Sequence, residues 1–275
     1  MKRKSTVHKN FGQRGFSLLE IAVVMIIVAF LLTSIGVPLA TQVEARRTEE
    51  TRRLLEEAKD ALIGFAMANG RFPCPAYASA TSNSAGQESF CAAASGGCVG
   101  SETQTLQTHG NCSHFYDGFL PAATLGLSSL DEQGFIRDGW GVASNRVRYA
   151  VSSVTVGPAL FPFTSQNGMQ SATISNLGAA ATNYLQICNS GTGVTATTCG
   201  GAANTLTTKT PILLLSLGQN AAAAGGADES KNTDNNIVFV SHTPVKGGGN
   251  DFDDIVTWIP INTIIKKMLD AGKLP

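Results

Sequence analysis

Hydrophobic residues run without a break from Ile21 to Leu32. The stretch from Phe16 to about Leu39 holds roughly 20 apolar positions, enough at about 1.5 Å per residue to cross a hydrocarbon core of about 30 Å. The period then changes. From Thr41 to Asn69 charged residues are interleaved with Leu54, Leu55, Ala58, Ala61, Leu62 and Phe65 at spacings of three and four, which predicts an amphipathic helix with one face for a head. Opposite charges four apart, Glu49 with Arg53 and Arg53 with Glu57, would support its exposed side. Gly70 is placed as a C-terminal cap, and Pro73 and Pro75 prevent continuation. Residues 16–69 therefore read as one nearly continuous helix, a membrane segment over 16–40 and an amphipathic segment over 41–70, weakened locally at Gly36 and Pro38.

Beyond Gly70 the pattern is that of a separate head, residues 71–275. Residues 76–113 are rich in Ser, Ala, Gly and Thr with few large apolar side chains, and read as a stapled loop rather than core. Arg146–Val151 alternates like a half-buried strand; Thr182–Cys188, Pro211–Leu217, Ile237–Ser241 and Ile255–Ile259 are further strand candidates. Long crossover helices are absent between them, so the sheet should be largely antiparallel. A short helix over Thr263–Ala271, with Asn262 as N-cap and Gly272 as C-terminal cap, closes the chain. The predicted fold class is α+β: a long N-terminal helix packed on a largely antiparallel sheet.

One charged residue lies in the membrane-length segment. Glu20 lies in Arg14-Gly15-Phe16-Ser17-Leu18-Leu19-Glu20, directly before the apolar run. An ionised carboxylate in hydrocarbon costs at least about 2.5 kcal/mol, so it calls for a partner. Lys2, Arg3, Lys4, Lys9 and Arg14 precede the segment with no acidic residue among them, which keeps this flank cytoplasmic and sends everything after Thr41 outside. A secretory signal places its small cleavage residue after the apolar region, whereas here Gly15 stands before it, so the helix would survive processing. Cleavage after Gly15 would give Phe16 a free amine, a cation of pKa about 7.7–8.0 before burial, close to Glu20 of the same or a neighbouring copy.

A short basic leader (residues 1–15) ending in Gly, then Phe-Ser-Leu-Leu-Glu and an apolar helix, closely resembles the type IV pilin and pseudopilin family. The resemblance implies that Gly15 and Phe16 flank the cut made by the prepilin peptidase, that Phe16 becomes the N-methylated terminus, and that Glu20 is the assembly glutamate pairing with that amine in a filament. Pro38 departs from the family pattern by lying one residue late. The plainer alternative is a bitopic anchor whose Glu snorkels to water. Asp138-Gly139-Trp140-Gly141 followed by a Tyr-containing strand is also similar to an element of the major pseudopilins of type II secretion, with Trp140 read as a core anchor.

Charge and cysteines refine this picture. The chain balances 20 basic against 20 acidic residues; without the five basic leader residues the mature chain has 15 against 20, a net charge of −5. An acidic ectodomain argues against nucleic-acid binding. Cys74, Cys91, Cys98, Cys112, Cys188 and Cys199 all fall on the outer side, an even number that reads as three disulfides. Zinc is the rival reading, and the absence of any Cys-x-x-Cys pair argues against it. Six cysteines allow fifteen connectivities. Local spacing favours Cys188 with Cys199, and nested Cys74–Cys112 and Cys91–Cys98 pairs are preferred for the rest.

Catalytic patterns do not rise above background: there is no Gly-x-Ser-x-Gly, no His-Glu-x-x-His and no phosphate loop. The histidines are scattered, with His109 and His114 read as loop residues in solvent. Calcium is the one candidate cofactor. Asn250-Asp251-Phe252-Asp253-Asp254 follows Gly247–Gly249, and hard oxygens on a flexible loop suit it, with Asp251, Asp253 and Asp254 as candidate ligands. The plainer reading is an acidic turn in solvent. Leu215-Ser216-Leu217-Gly218 with the later Asp-Asp-Ile-Val-Thr-Trp run also looks like the C-terminal region of pseudopilins, where a calcium-bound loop can stabilise the head.

The function expected is a structural, non-enzymatic subunit. It would be processed by prepilin peptidase and passed to an inner-membrane assembly platform, then join other pilin or pseudopilin subunits in a type II secretion pseudopilus or type IV pilus. A head of about 205 residues has a radius of gyration near 17 Å, bulky for dense stacking, which favours a minor subunit. The alternative is a pilin-anchored adhesin or substrate-recognition module that uses the polar 76–113 or 218–250 segments.

Overall fold

The computed structural model describes residues 15, 17–77, 85–94, 98, 101–128, 130–155, 161–171, 177, 183–221 and 225–274, with the side chains of 32–40 and 143 outside that description. Two compact units are present, Met1–Arg46 and Arg47–Pro275.

Helix α1 spans Leu18–Asn69. It starts at Ser17, whose side chain and backbone exchange hydrogen bonds with Glu20, and ends where Gly70 takes a left-handed φ of 70° and donates to the Ala66 carbonyl at 2.8 Å. From Leu18 to Leu31 the described apolar side chains are exposed on every side of the helix, among them Leu18 89%, Ile21 50%, Val24 55%, Ile27 53% and Phe30 73%. Among the described residues no helix is long and apolar enough to cross a membrane; the side chains described in the apolar run stop at Leu31. In the second unit Leu55, Ala58, Leu62 and Ala66 enter the core, while Leu54 and Phe65 of the predicted face are only partly buried. The i,i+4 pairs expected on the outer side do not form; Lys59 instead bonds Glu56 at 2.8 Å.

The head is built on β1 (Phe90–Cys91), β2 (Glu102–Thr103), β3 (Gly118–Phe119), β4 (Arg148–Val151), β5 (Leu185–Cys188), β6 (Thr205–Thr210), β7 (Ile212–Ser216), β8 (Val238–Val240) and β9 (Ile255–Ile259). Four strands in the order β3-β4-β7-β9 form a wholly antiparallel sheet, and three in the order β6-β5-β8 form a second one in which β5 and β8 run parallel. The fold is α+β with mainly antiparallel pairing, as the pattern implied.

Strand β7 reads Ile-Leu-Leu-Leu-Ser without alternation because both of its faces are covered. Ile212 and Leu214 join the cluster that holds the α1 face, Tyr149 and the C-terminal helix, whereas Leu213 and Leu215 join Ile187, Val238 and Phe239 of the second sheet. Strand β4 behaves alike, with Tyr149 and Val151 on one side and Ala150 on the other, so its expected half-exposure is corrected. At about 25 cal/mol per Å² of apolar area, a strand wrapped on both sides supplies stabilisation that a surface strand cannot. Strand β6 was not anticipated; it is a Thr-rich edge whose partner β5 carries register irregularities. The C-terminal helix covers Ile261–Asp270 and begins after Pro260 rather than Asn262, burying Ile261, Ile264 and Met268.

Three disulfides close local loops: Cys74–Cys112, Cys91–Cys98 and Cys188–Cys199. The segment 76–113 is not purely a surface loop, because β1 and β2 pair within it and Phe90, with 0% exposure, lies in the main core. Phe90 also flanks Arg71, whose guanidinium forms a buried two-pronged pair with Glu88 at 2.7 Å on each side.

Candidate functional site

Two groups of residues carry chemistry. At the start of α1, Gly15 is exposed and non-helical, and Phe16 lies outside the described residues, so its cleavage and methylation rest on sequence. The Ser17 N–H donates to Glu20 Oε2 at 3.0 Å, and the Glu20 N–H donates to Ser17 Oγ at 3.2 Å. This reciprocal pair is a capping box, satisfying two of the backbone donors that a helix start leaves open. The assembly glutamate predicted from the motif therefore has a local backbone partner before any second subunit arrives. Ser17 is the functional residue that the motif reading passed over, although Ser-x-x-Glu before an apolar run is its signature.

The second group lies in the head. Glu229 sits at the start of a 3₁₀ turn, Glu229–Asn232, and Asp253 and Asp254 immediately precede β9. One carboxylate oxygen of each comes within 4.8 Å of the others. Asn232 locks the arrangement: its side chain accepts from Val240 N at 2.7 Å and donates to Val240 O at 3.1 Å and to Asp254 Oδ2 at 2.7 Å. Glu229 accepts from Asp253 N at 2.6 Å and from Asn220 Nδ2 at 2.8 Å. Gly218 has a φ of +62°, and a Cβ built there would lie 2.1 Å from Asp253 Oδ1, so only glycine admits this close approach.

Burial, reinforced by the Glu229 charge, raises Asp253 to about 6. Burial also raises Asp254 to about 8, the Asn232 hydrogen bond opposing this and the charges of Glu229 and Asp253 adding to it. Asp253 Oδ1 is buried without a hydrogen-bond partner. Crowded hard oxygens that resist ionisation, one of them unsatisfied, fit a divalent cation such as calcium. Of the three candidates read from sequence, Asp253 and Asp254 are brought together; Asp251 is exposed, with its Oδ1 accepting from Gly247 N at 2.6 Å, and is not in the cluster. Glu229 replaces it.

The Asp-Gly-Trp-Gly element works through its acid. Asp138 is 5% exposed and accepts from Ser216 Oγ at 2.5 Å, Trp140 N at 2.9 Å and Asn145 Nδ2 at 3.2 Å; burial raises its pKa. Asn145 also donates to the Gly218 carbonyl, so this network braces the residue that abuts Asp253. Trp140 is only half-buried and belongs to neither main cluster, which corrects its reading as a core anchor.

The three described histidines are separately tethered rather than free in solvent; His8 lies outside the described residues. His114 stacks on Tyr77 and bonds Asp117 at 2.9 Å, Asn111 N donates to His109 Nδ1 at 3.0 Å, and His242 stacks on Phe252 and bonds Asp228 at 3.1 Å.

Beside the acidic cluster is a cavity of about 360 Å³ whose lining includes Arg148, Glu229 and Asp254.

A family model described as the prokaryotic N-terminal methylation motif matches residues 10–36. That motif is the hallmark of type IV pilins and pseudopilins, and its span contains Gly15, Phe16, Ser17 and Glu20. No curated protein and no solved structure matches the chain.

Proposed function

We propose that this protein is a minor pilin-like structural subunit, cut by a prepilin peptidase between Gly15 and Phe16, methylated on the Phe16 amine, and drawn by an inner-membrane assembly platform into a pseudopilus or pilus. The observation that carries the reading is the methylation motif over residues 10–36. Two physical features support it. The apolar side chains of Leu18–Leu31 are exposed round the helix, a surface that water does not tolerate and that lipid or neighbouring helices would cover. The Glu20 carboxylate already accepts one backbone N–H, which lowers the cost of taking it into an apolar bundle while a second oxygen meets a neighbour's Phe16 amine.

In this reading the precursor spans the inner membrane once, with its N-terminus cytoplasmic and its head periplasmic. The driving chemistry belongs to the machinery, and the head is structural rather than catalytic. Glu229, Asp253 and Asp254 would hold calcium, which when bound supplies positive charge that lets all three carboxyls ionise and clamps the Glu229–Asn232 turn to the start of β9.

The test is Glu20→Ala. Intact mass spectrometry of membrane fractions should show the same leader removal as wild type, while sheared filaments should lack the variant. Normal incorporation of Glu20→Ala would refute the pairing mechanism. A second reading, a pilin-anchored adhesin or substrate-recognition module, draws on the cavity beside Arg148.

A further inference from the structure

Arg148 stands on β4, in the middle of the head, and its Nε is buried without a hydrogen-bond partner. The structure shows no ion pair for it among the described residues. Its guanidinium lies over the Phe119 ring, 5.3 Å from the centroid. Burial lowers its pKa, and the charges of Asp117 and Asp254 act in the opposite sense without touching it. Arg148 is only partly buried, but a buried Nε–H with no acceptor still carries a desolvation cost. It lines the cavity of about 360 Å³, whose other walls carry Glu229, Asp254 and the polar side chains of Asn220, Ser230 and Thr233. That volume lies at the lower end of small-molecule sites, which run to about 1,000 Å³.

A simple anion would share the cavity with the Glu229 carboxylate and be repelled, and a simple cation would meet Arg148. A ligand bearing both charges a few bonds apart suffers neither penalty. We propose that this cavity binds a small zwitterion of the α-amino acid class, its carboxylate on the Arg148 fork and its ammonium against Glu229 and Asp254. Asn220 donates to Glu229 Oε2 at 2.8 Å and so orients that carboxylate, while Ser230 and Thr233 line the remaining space. The inference goes beyond filament assembly and does not depend on it: Arg148 and Glu20 belong to different compact units.

Calorimetric titration of the full-length protein in detergent, with a chelator present, tests it using L-alanine, L-serine and L-glutamine as probes and acetate and methylamine as half-ligands. At least one zwitterion should bind at low-millimolar concentration or better, and neither half-ligand should. Arg148→Met should weaken binding by roughly 10- to 100-fold, the loss expected for a charged hydrogen-bonded pair, and Arg148→Lys should recover part of it. Calcium, competing for the same carboxylates, should raise the apparent Kd. Absence of heat with all three amino acids, acetate binding as tightly as alanine, or unchanged affinity in a folded Arg148→Met protein would each overturn the proposal. Should Arg148→Met fail to fold, the wild-type comparison of whole ligand with half-ligands decides by itself. Loss of amino-acid binding would leave the Glu20 incorporation experiment untouched, so the two readings fail separately.

Discussion

Replacing Glu88 by glutamine should be among the most destabilising single changes in the head. The two side chains of the Arg71–Glu88 pair are only 6% and 11% exposed, and the guanidinium reaches both carboxylate oxygens at 2.7 Å. Glu88 Oε2 further accepts from Cys74 N at 3.2 Å, and Arg71 is flanked by the rings of Phe65 and Phe90 at 5.2 and 5.6 Å. Water cannot readily replace a lost partner there, so removing one charge should cost about 3–5 kcal/mol. For a domain of this size that corresponds to a fall in Tm of roughly 6–20 °C.

Thermal and urea unfolding of the detergent-solubilised protein would measure it, alongside Arg71→Met and the double variant Arg71→Met/Glu88→Leu. The double variant should cost much less than the sum of the singles, since no lone charge remains, although Cys74 N–H and the Phe72 carbonyl, which now accepts from Arg71 at 3.1 Å, would keep a penalty of about 1–3 kcal/mol. Additive single losses, or a Glu88→Gln loss below about 1 kcal/mol, would refute the view that desolvation sets the value of this pair.

Ser17→Ala should remove about 1 kcal/mol from the helix start, visible as faster amide exchange at Leu18–Ile21, and Ser17→Thr should restore it; unchanged exchange would contradict the capping box. Replacing Gly15 with a bulky residue should leave the leader attached, and intact mass spectrometry showing normal cleavage would count against the assigned site. Because Asp253 is raised to about 6 and Asp254 to about 8, these two groups contribute stability that in chelator is fully present near pH 4 and is lost as pH rises to about 8, so the wild-type Tm should fall relative to that of Asp253→Asn/Asp254→Asn across this window. Calcium binds the ionised carboxylates, so it should raise Tm more at pH 8 than at pH 5, roughly as RT ln(1 + [Ca]/Kd). A wild-type Tm that climbs relative to that double variant through this window would refute the assigned burial.

What the sequence determined is local. The capping box needs only Ser17 and Glu20 three residues apart, the α1 face needs only spacings of three and four, and the Gly70 stop needs only a residue that tolerates positive φ. Strand Ile255–Ile259 was legible for the same reason, as a short β-branched run after an acidic turn. The tertiary structure decided whatever depends on distant segments meeting. Glu229 enters the acidic cluster across 24 residues of chain, and Asp138 reaches Ser216 across 78; neither separation bears any periodicity. Arg148 lies on a strand that alternates in the sequence, and only the packing of distant segments made it a partly buried cation lining the same cavity as Glu229 and Asp254. Helix and strand periods are properties of neighbouring dihedrals. Convergence of side chains is a property of which loops close and which faces find cover, and that is settled when the whole core packs.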